Sequence, residues 1–214
     1  MFSFFKKDKK IPARILESFD QLQKNDIVTF KERSNIPVEL QGQSLTVKKI
    51  QAYQYNDGTV AEFVLQSVSN ETFTASISEI EDGEFLTLSK RIPDGTIQKY
   101  FSLENIQQFI DDESFKHMDL IEGVDTTSIE GWVGSRYMRT EHMGVAFFYK
   151  TDRRSKTNDV YQDDDSEELR YCEAVGTVRG TGFSAEIWEG GLPEFYFQST
   201  IPLDAIAEMW PSGG

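Results

Sequence analysis

The sequence predicts a mostly β, α+β protein made of two small antiparallel sheets or barrels, with a connector helix between them and a short helix at each end. Three observations carry this expectation. Ten short segments alternate apolar and polar residues with period two, separated by polar turns. The 214 residues include 16 Phe and 8 Tyr, types that suit a pleated, half-buried surface. Finally, Asp57 to Ser67 (DGTVAEFVLQS) and Glu189 to Ser199 (EGGLPEFYFQS) share five identities in eleven positions. Each joins an acidic-Gly turn to an aromatic strand, so both are expected as hairpins, either by duplication of a β module or by convergence on one hairpin pattern.

The chain divides into residues 1–24, 25–92, 93–128 and 129–214. In the first part, Met1 to Lys10 sets three Phe before four Lys, an apolar group too short for a signal peptide or a membrane span, and suggests at most a weak contact with an anionic membrane surface. From Ile11 the pattern turns helical, with Ile11, Ile15, Leu16, Phe19 and Leu22 at spacings of three and four. The second part is a meander with strands expected over 26–31, 45–55, 60–67, 72–80 and 85–89, reversed at Asn56-Asp57-Gly58, Ser69-Asn70 and Asp82-Gly83. In the third, Ser102 can cap a helix whose Leu103, Ile106, Phe109 and Ile110 share one face. The fourth repeats the β pattern over 129–139, 144–151, 169–178, 183–189 and 194–199, then closes with a short helix over 202–210. Within it, 152–168 is a polar, mostly acidic loop.

A formal net charge of -14 and a pI near 4.6 repel phosphate backbones, so nucleic acid is excluded as a partner class. A single cysteine, Cys172, leaves no intramolecular disulfide, which fits a reducing cytoplasmic setting, and its alternating strand context predicts an inert, buried thiol. The contiguous acids of 152–168 lack the alternation and the central glycine of a calcium loop, so no metal site is assigned. Glu113 and His117 are four apart near the end of the connector helix, and Glu141 and His142 fall at an expected turn; neither pair carries a recognisable catalytic or ligand pattern. Gly176 to Gly182 lacks the Lys-Ser/Thr ending of a phosphate loop, and Gly131 to Ser135 lacks nucleophile-elbow spacing. No cofactor is expected.

The phrases Glu186 to Gly191, Phe195 to Phe197, Ile201 to Leu203 and Asn25 to Val28 resemble the bacterial domain-of-unknown-function family 4178 over about half the chain. That resemblance implies a bacterial cytoplasmic protein without an established activity, and it transfers no catalytic residues.

The leading functional expectation is a non-catalytic interaction module that binds a protein partner or itself, since adjacent aromatics on a strand point to opposite faces. Phe148, Trp188 and Tyr196 are its candidate surface, with Trp210 as a candidate cover. Two alternatives stand beside it: a carboxylate-based hydrolase or small-ligand-binding protein using Glu62 and Glu194, the pair at matching positions of the two similar stretches, and a membrane-surface adaptor acting through the Phe/Lys tail.

Overall fold

The structure, a computed structural model, describes residues 14–80, 83–155 and 165–212. The first meander forms β1 (Ile27–Phe30), β2 (Ser44–Tyr55), β3 (Gly58–Gln66), β4 (Thr72–Ile80) and β5 (Gly83–Arg91). After the helix α1 (Leu103–Asp111) come β6 (His117–Asp119), β7 (Arg136–Tyr149), β8 (Ser166–Gly176), β9 (Thr181–Trp188), β10 (Glu194–Pro202) and β11 (Ile206–Trp210). Ser102 caps α1 as its sequence predicts, accepting a hydrogen bond from the Asn105 N–H at 3.1 Å. The Phe/Lys tail and the centre of the acidic loop lie outside the described residues.

The strands form one large antiparallel sheet, not two small ones, in the order β11-β1-β2-β3-β4-β5-β10-β9-β8-β7-β6. Besides the β1–β11 pair, two junctions join the halves. β5 pairs with β10, setting Thr87 opposite Thr200, and β2 pairs a second time with β7, setting Tyr53 opposite Phe148. The second junction closes eight strands, β2 to β5 and β7 to β10, into a ring. The physical reason is edge satisfaction: two separate meanders would each leave open strand edges, and each half here covers the other's.

Alternation gives the ring wall two faces. Its outward face carries Phe63, Leu65, Phe73, Leu88, Phe183 and Phe197, all buried under a second layer that includes α1, the β1–β11 ribbon and the connecting segments. Phe183 is a hub of this layer, with ring centroids 5.1 Å from Phe101, 5.3 Å from Phe109 and 5.8 Å from Tyr137. Phe73 stacks on Trp132 at 5.9 Å, and the Trp132 indole N–H donates to Glu39, whose other oxygen holds Lys90 at 2.5 Å. The apolar core therefore sits outside the barrel wall. Cys172 belongs to it and is fully buried, with its thiol pushed up by that burial.

Four local expectations are corrected. Residues 14–22 hold only a 3-10 turn, Phe19–Gln21, and Ile15 is 78% exposed. Buried Asp26 organises this stretch instead: it accepts from the Gln23 N–H at 2.6 Å and from the Ser212 N–H at 2.8 Å, and pairs with Arg14. Residues 202–210 are not a helix: a 3-10 turn at Leu203–Ala205 leads into β11, which takes the free edge of β1, Val28 opposite Met209. Trp210 on that strand is 55% exposed and covers nothing in the barrel. Residues 136–149 are one strand, because two ladder irregularities, with Met143 at φ 52°, absorb what reads as a turn at Glu141 and His142. Lastly, α1 ends at Asp111 and His117 opens β6, so Glu113 and His117 share no helix face.

Candidate functional site

The inward face of the ring is polar. Ser76, Ser78, Thr87, Ser89, Ser184 and Thr200 contribute hydroxyls, and Glu62, Glu173 and Glu186 contribute carboxyls, to a cavity of about 1370 Å³. Contacts between strands that are not neighbours establish that this face is concave. The Tyr53 hydroxyl on β2 donates to Glu186 Oε2 on β9 at 3.4 Å. Tyr55 on β2 meets Tyr171 on β8 edge-on at 5.3 Å, and Phe148 on β7 meets Trp188 on β9 at 5.3 Å. Eight strands enclose enough room for one small ligand when the inward side chains are short, and here β4 and β5 turn the short side chains of Ser76, Ser78, Thr87 and Ser89 to the cavity.

The wall is split on one side. The β3–β4 ladder runs from Gln66 opposite Thr72 to Glu62 opposite Ser76 and stops there, while β3 continues to pair with β2 down to Gly58 and β4 with β5 up to Ile80. Residues 58–61 and 77–80 therefore diverge. Thr59, Val60, Ala61, Ile77, Ser78 and Glu79 from the two lips line the cavity, as do Arg14, Asp20 and Arg154 beyond them. Arg154 is anchored at this mouth, its Nη1 donating to the Leu22 carbonyl at 2.9 Å and its guanidinium paired with Asp152 at 2.6 Å. That pairing holds the Asp152 carboxyl below its ordinary range.

The interior favours neutral forms. Burial raises the Glu186 carboxyl to about 8, with the nearby charge of Glu62 adding to the rise, and hydrogen bonds from Tyr53 and Tyr196 oppose it. Burial likewise raises Glu62, against hydrogen bonds from Thr74 and Gln51; the Gln51 Nε2 donates to Glu62 Oε2 at 2.5 Å. Glu173 is raised by burial and then by Glu141. Tyr53 and Tyr196 are held well above the usual phenol range, first by burial and then by neighbouring glutamates, and Tyr171 is pushed up to about 12. Gly144 on β7 makes room for Tyr171: a Cβ there would stand 2.6 Å from its ring.

Of the residues singled out from sequence, Glu62 lines the cavity, and Phe148, Trp188 and Tyr196 all project from the inward face of the ring. Phe148 is only 8% exposed, inside a second apolar cluster with Tyr53, Ala146 and Leu169. Glu194 is inward as well but is taken up at the end of the wall, bound to Arg91 at 2.9 Å and to the Tyr196 hydroxyl at 2.8 Å. The carboxyl near Glu62 is Glu186, which sequence reading missed although it stands directly opposite Glu194 in the ladder. His142 pins the C-terminal turn of α1, its Nε2 lying 2.9 Å from the Ile110 carbonyl oxygen. Among the described residues, no three His, Cys, Asp or Glu side chains converge closely enough to hold a metal ion, and no helix is long and apolar enough to cross a membrane. No family model matches the chain, and neither a curated protein nor a solved structure does.

Proposed function

We propose that this protein binds a small molecule inside the barrel, reached through the split between β3 and β4. The observation that carries this reading is a cavity of about 1370 Å³ that runs from the mouth, at Arg14, Asp20 and Arg154, into the ring, where seven of its strands line it. A ring with no ligand to hold would fill this space with side chains, as its outward face is filled. The lining is largely hydroxyl, phenol and carboxyl. The protein partner expected from sequence loses its main support, because the rings assigned to that surface face inward.

Native mass spectrometry of protein purified from its own host tests the reading, run beside Ser89→Phe, which puts a ring into the cavity without touching the outer core. A small molecule retained by the wild type and lost from the folded variant is the expected result. Equal retention by both, or adduct-free spectra together with a melting temperature that no member of a diverse metabolite library raises, would refute it.

A second reading is favoured by one specific observation. Glu186, raised to about 8 beside Glu62, meets the requirement of a general acid at neutral pH. Hydrolysis by such a pair is tested with chromogenic ester and glycoside panels, in which Glu186→Gln would abolish turnover.

A further inference from the structure

We infer that the ligand of this barrel is an organic ammonium ion, an inference that rests on the small-molecule reading above. Three observations converge on that chemistry. Every charged side chain that the ring strands place on the cavity wall is an acid: Glu62, Glu79, Glu173 and Glu186, with Asp57 beside them in the β2–β3 turn. The basic residues that line it, Arg14 and Arg154, stand at the outer mouth and are bound to Asp26 and Asp152. Lys49, whose charge also acts on Glu62, is exposed. A carboxylate or phosphate ligand would find no counter-charge within the wall, whereas a cation would find several.

Tyrosines supply the second observation. Tyr53, Tyr55, Tyr171 and Tyr196 present their rings to the same space, and ring faces attract ammonium groups while they cover the attached carbon chain. Third, no three acidic groups converge on one point among the described residues, so the wall offers a bare metal ion no ready-made ligand set.

Binding has a proton balance. The wall glutamates hold protons more strongly than free carboxyls do, and an arriving ammonium restores the ionised form. Each glutamate that ionises on binding gives one proton to the buffer, and the ligand keeps its own.

The test is isothermal calorimetry on the full chain with three matched probes: 1,8-diaminooctane, 1,8-octanediol and octanedioate. It is run in two buffers of different ionisation enthalpy and repeated on Glu186→Gln and on the exposed control Glu208→Gln. The expected result is saturable binding of the diamine alone, with proton release, weakened about tenfold or more by Glu186→Gln and unchanged by Glu208→Gln. Stronger binding of the diol or the diacid would overturn the cation inference and leave the small-molecule reading standing. Diamine binding weakened equally by both variants would mark attraction to the acidic surface and would also overturn it. Silence from all three probes would remove the ammonium inference, while the retained-ligand experiment judges the wider reading separately.

Discussion

Replacing Glu186 with Gln should flatten the dependence of stability on pH. Glu186 is raised from the ordinary 4.5 to about 8. Below 4.5 the folded and unfolded chains both carry the proton, and the native state incurs no penalty. Between 4.5 and 8 the unfolded chain gives up the proton while the folded chain keeps it, so stability falls as pH rises, by up to about 1.4 kcal/mol per pH unit. Above 8 both forms are ionised and the loss is complete. The full interval sets a ceiling of about 5 kcal/mol, and the side chain's partial exposure to cavity water lowers the expected loss to about 2–3 kcal/mol. Gln keeps the shape and can still accept from the Tyr53 hydroxyl, so the substitution removes the titration with little else. Urea unfolding at pH 5, 6, 7 and 8, with the m-value checked at each, measures the effect. Glu173 acts in the same direction and surface acids in the opposite one, but these are common to both proteins and cancel in the difference, whereas Glu62 is coupled to Glu186 and its share is part of the effect measured. Parallel profiles for wild type and Glu186→Gln would refute the reasoning, since they would mean that this carboxyl ionises as it does in water.

Three further outcomes follow from the packing. Asp26→Ala should cost about 2–4 kcal/mol in urea unfolding, because the buried carboxylate holds Arg14 and the N–H groups of Gln23 and Ser212, and its loss strands them. Phe183→Ala should cost about 3–5 kcal/mol and sharply reduce the near-ultraviolet dichroism, since its ring touches Phe101, Phe109, Tyr137 and Phe197. Cys172 should resist a thiol-reactive disulfide reagent in the native protein at pH 8 and react with full stoichiometry in denaturant, because it is buried and its thiol is raised.

Much of the fold was legible because strand period and turn chemistry are local. The span 72–80 matches β4 throughout, and Ser102 announced its helix. What failed was decided elsewhere in the chain. The segment over 202–210 reads as a helix until the open edge of β1 is available to it, and the Glu141-His142 turn dissolves once β8 holds both sides of it in one ladder. The site was half-visible for a subtler reason. A strand with alternating polar residues announces a wet face, but it does not say whether the water is bulk solvent or the content of a barrel. Phe148, Trp188 and Tyr196 therefore read as an outer patch. Only the β2–β7 junction, which local pattern does not encode, turns these residues inward. Glu62 was found through its repeat partner, whereas Glu186 carries no local signal at all.

That junction also governs how the chain must fold. Ala52, Tyr53 and Gln54 find Tyr149, Phe148 and Phe147, and the Tyr149 hydroxyl reaches Gln54 Oε1 at 2.9 Å across a sequence separation of 95. Closing so long a loop is entropically expensive and only three residue pairs reward it, so the seam forms after both meanders have ordered. Before that moment the polar wall is open to bulk water and no enclosed chamber exists. Recovery of secondary structure on refolding should then precede recovery of the interior, and a molecule held inside would act late, on the final closure step, by slowing the reopening of the finished ring.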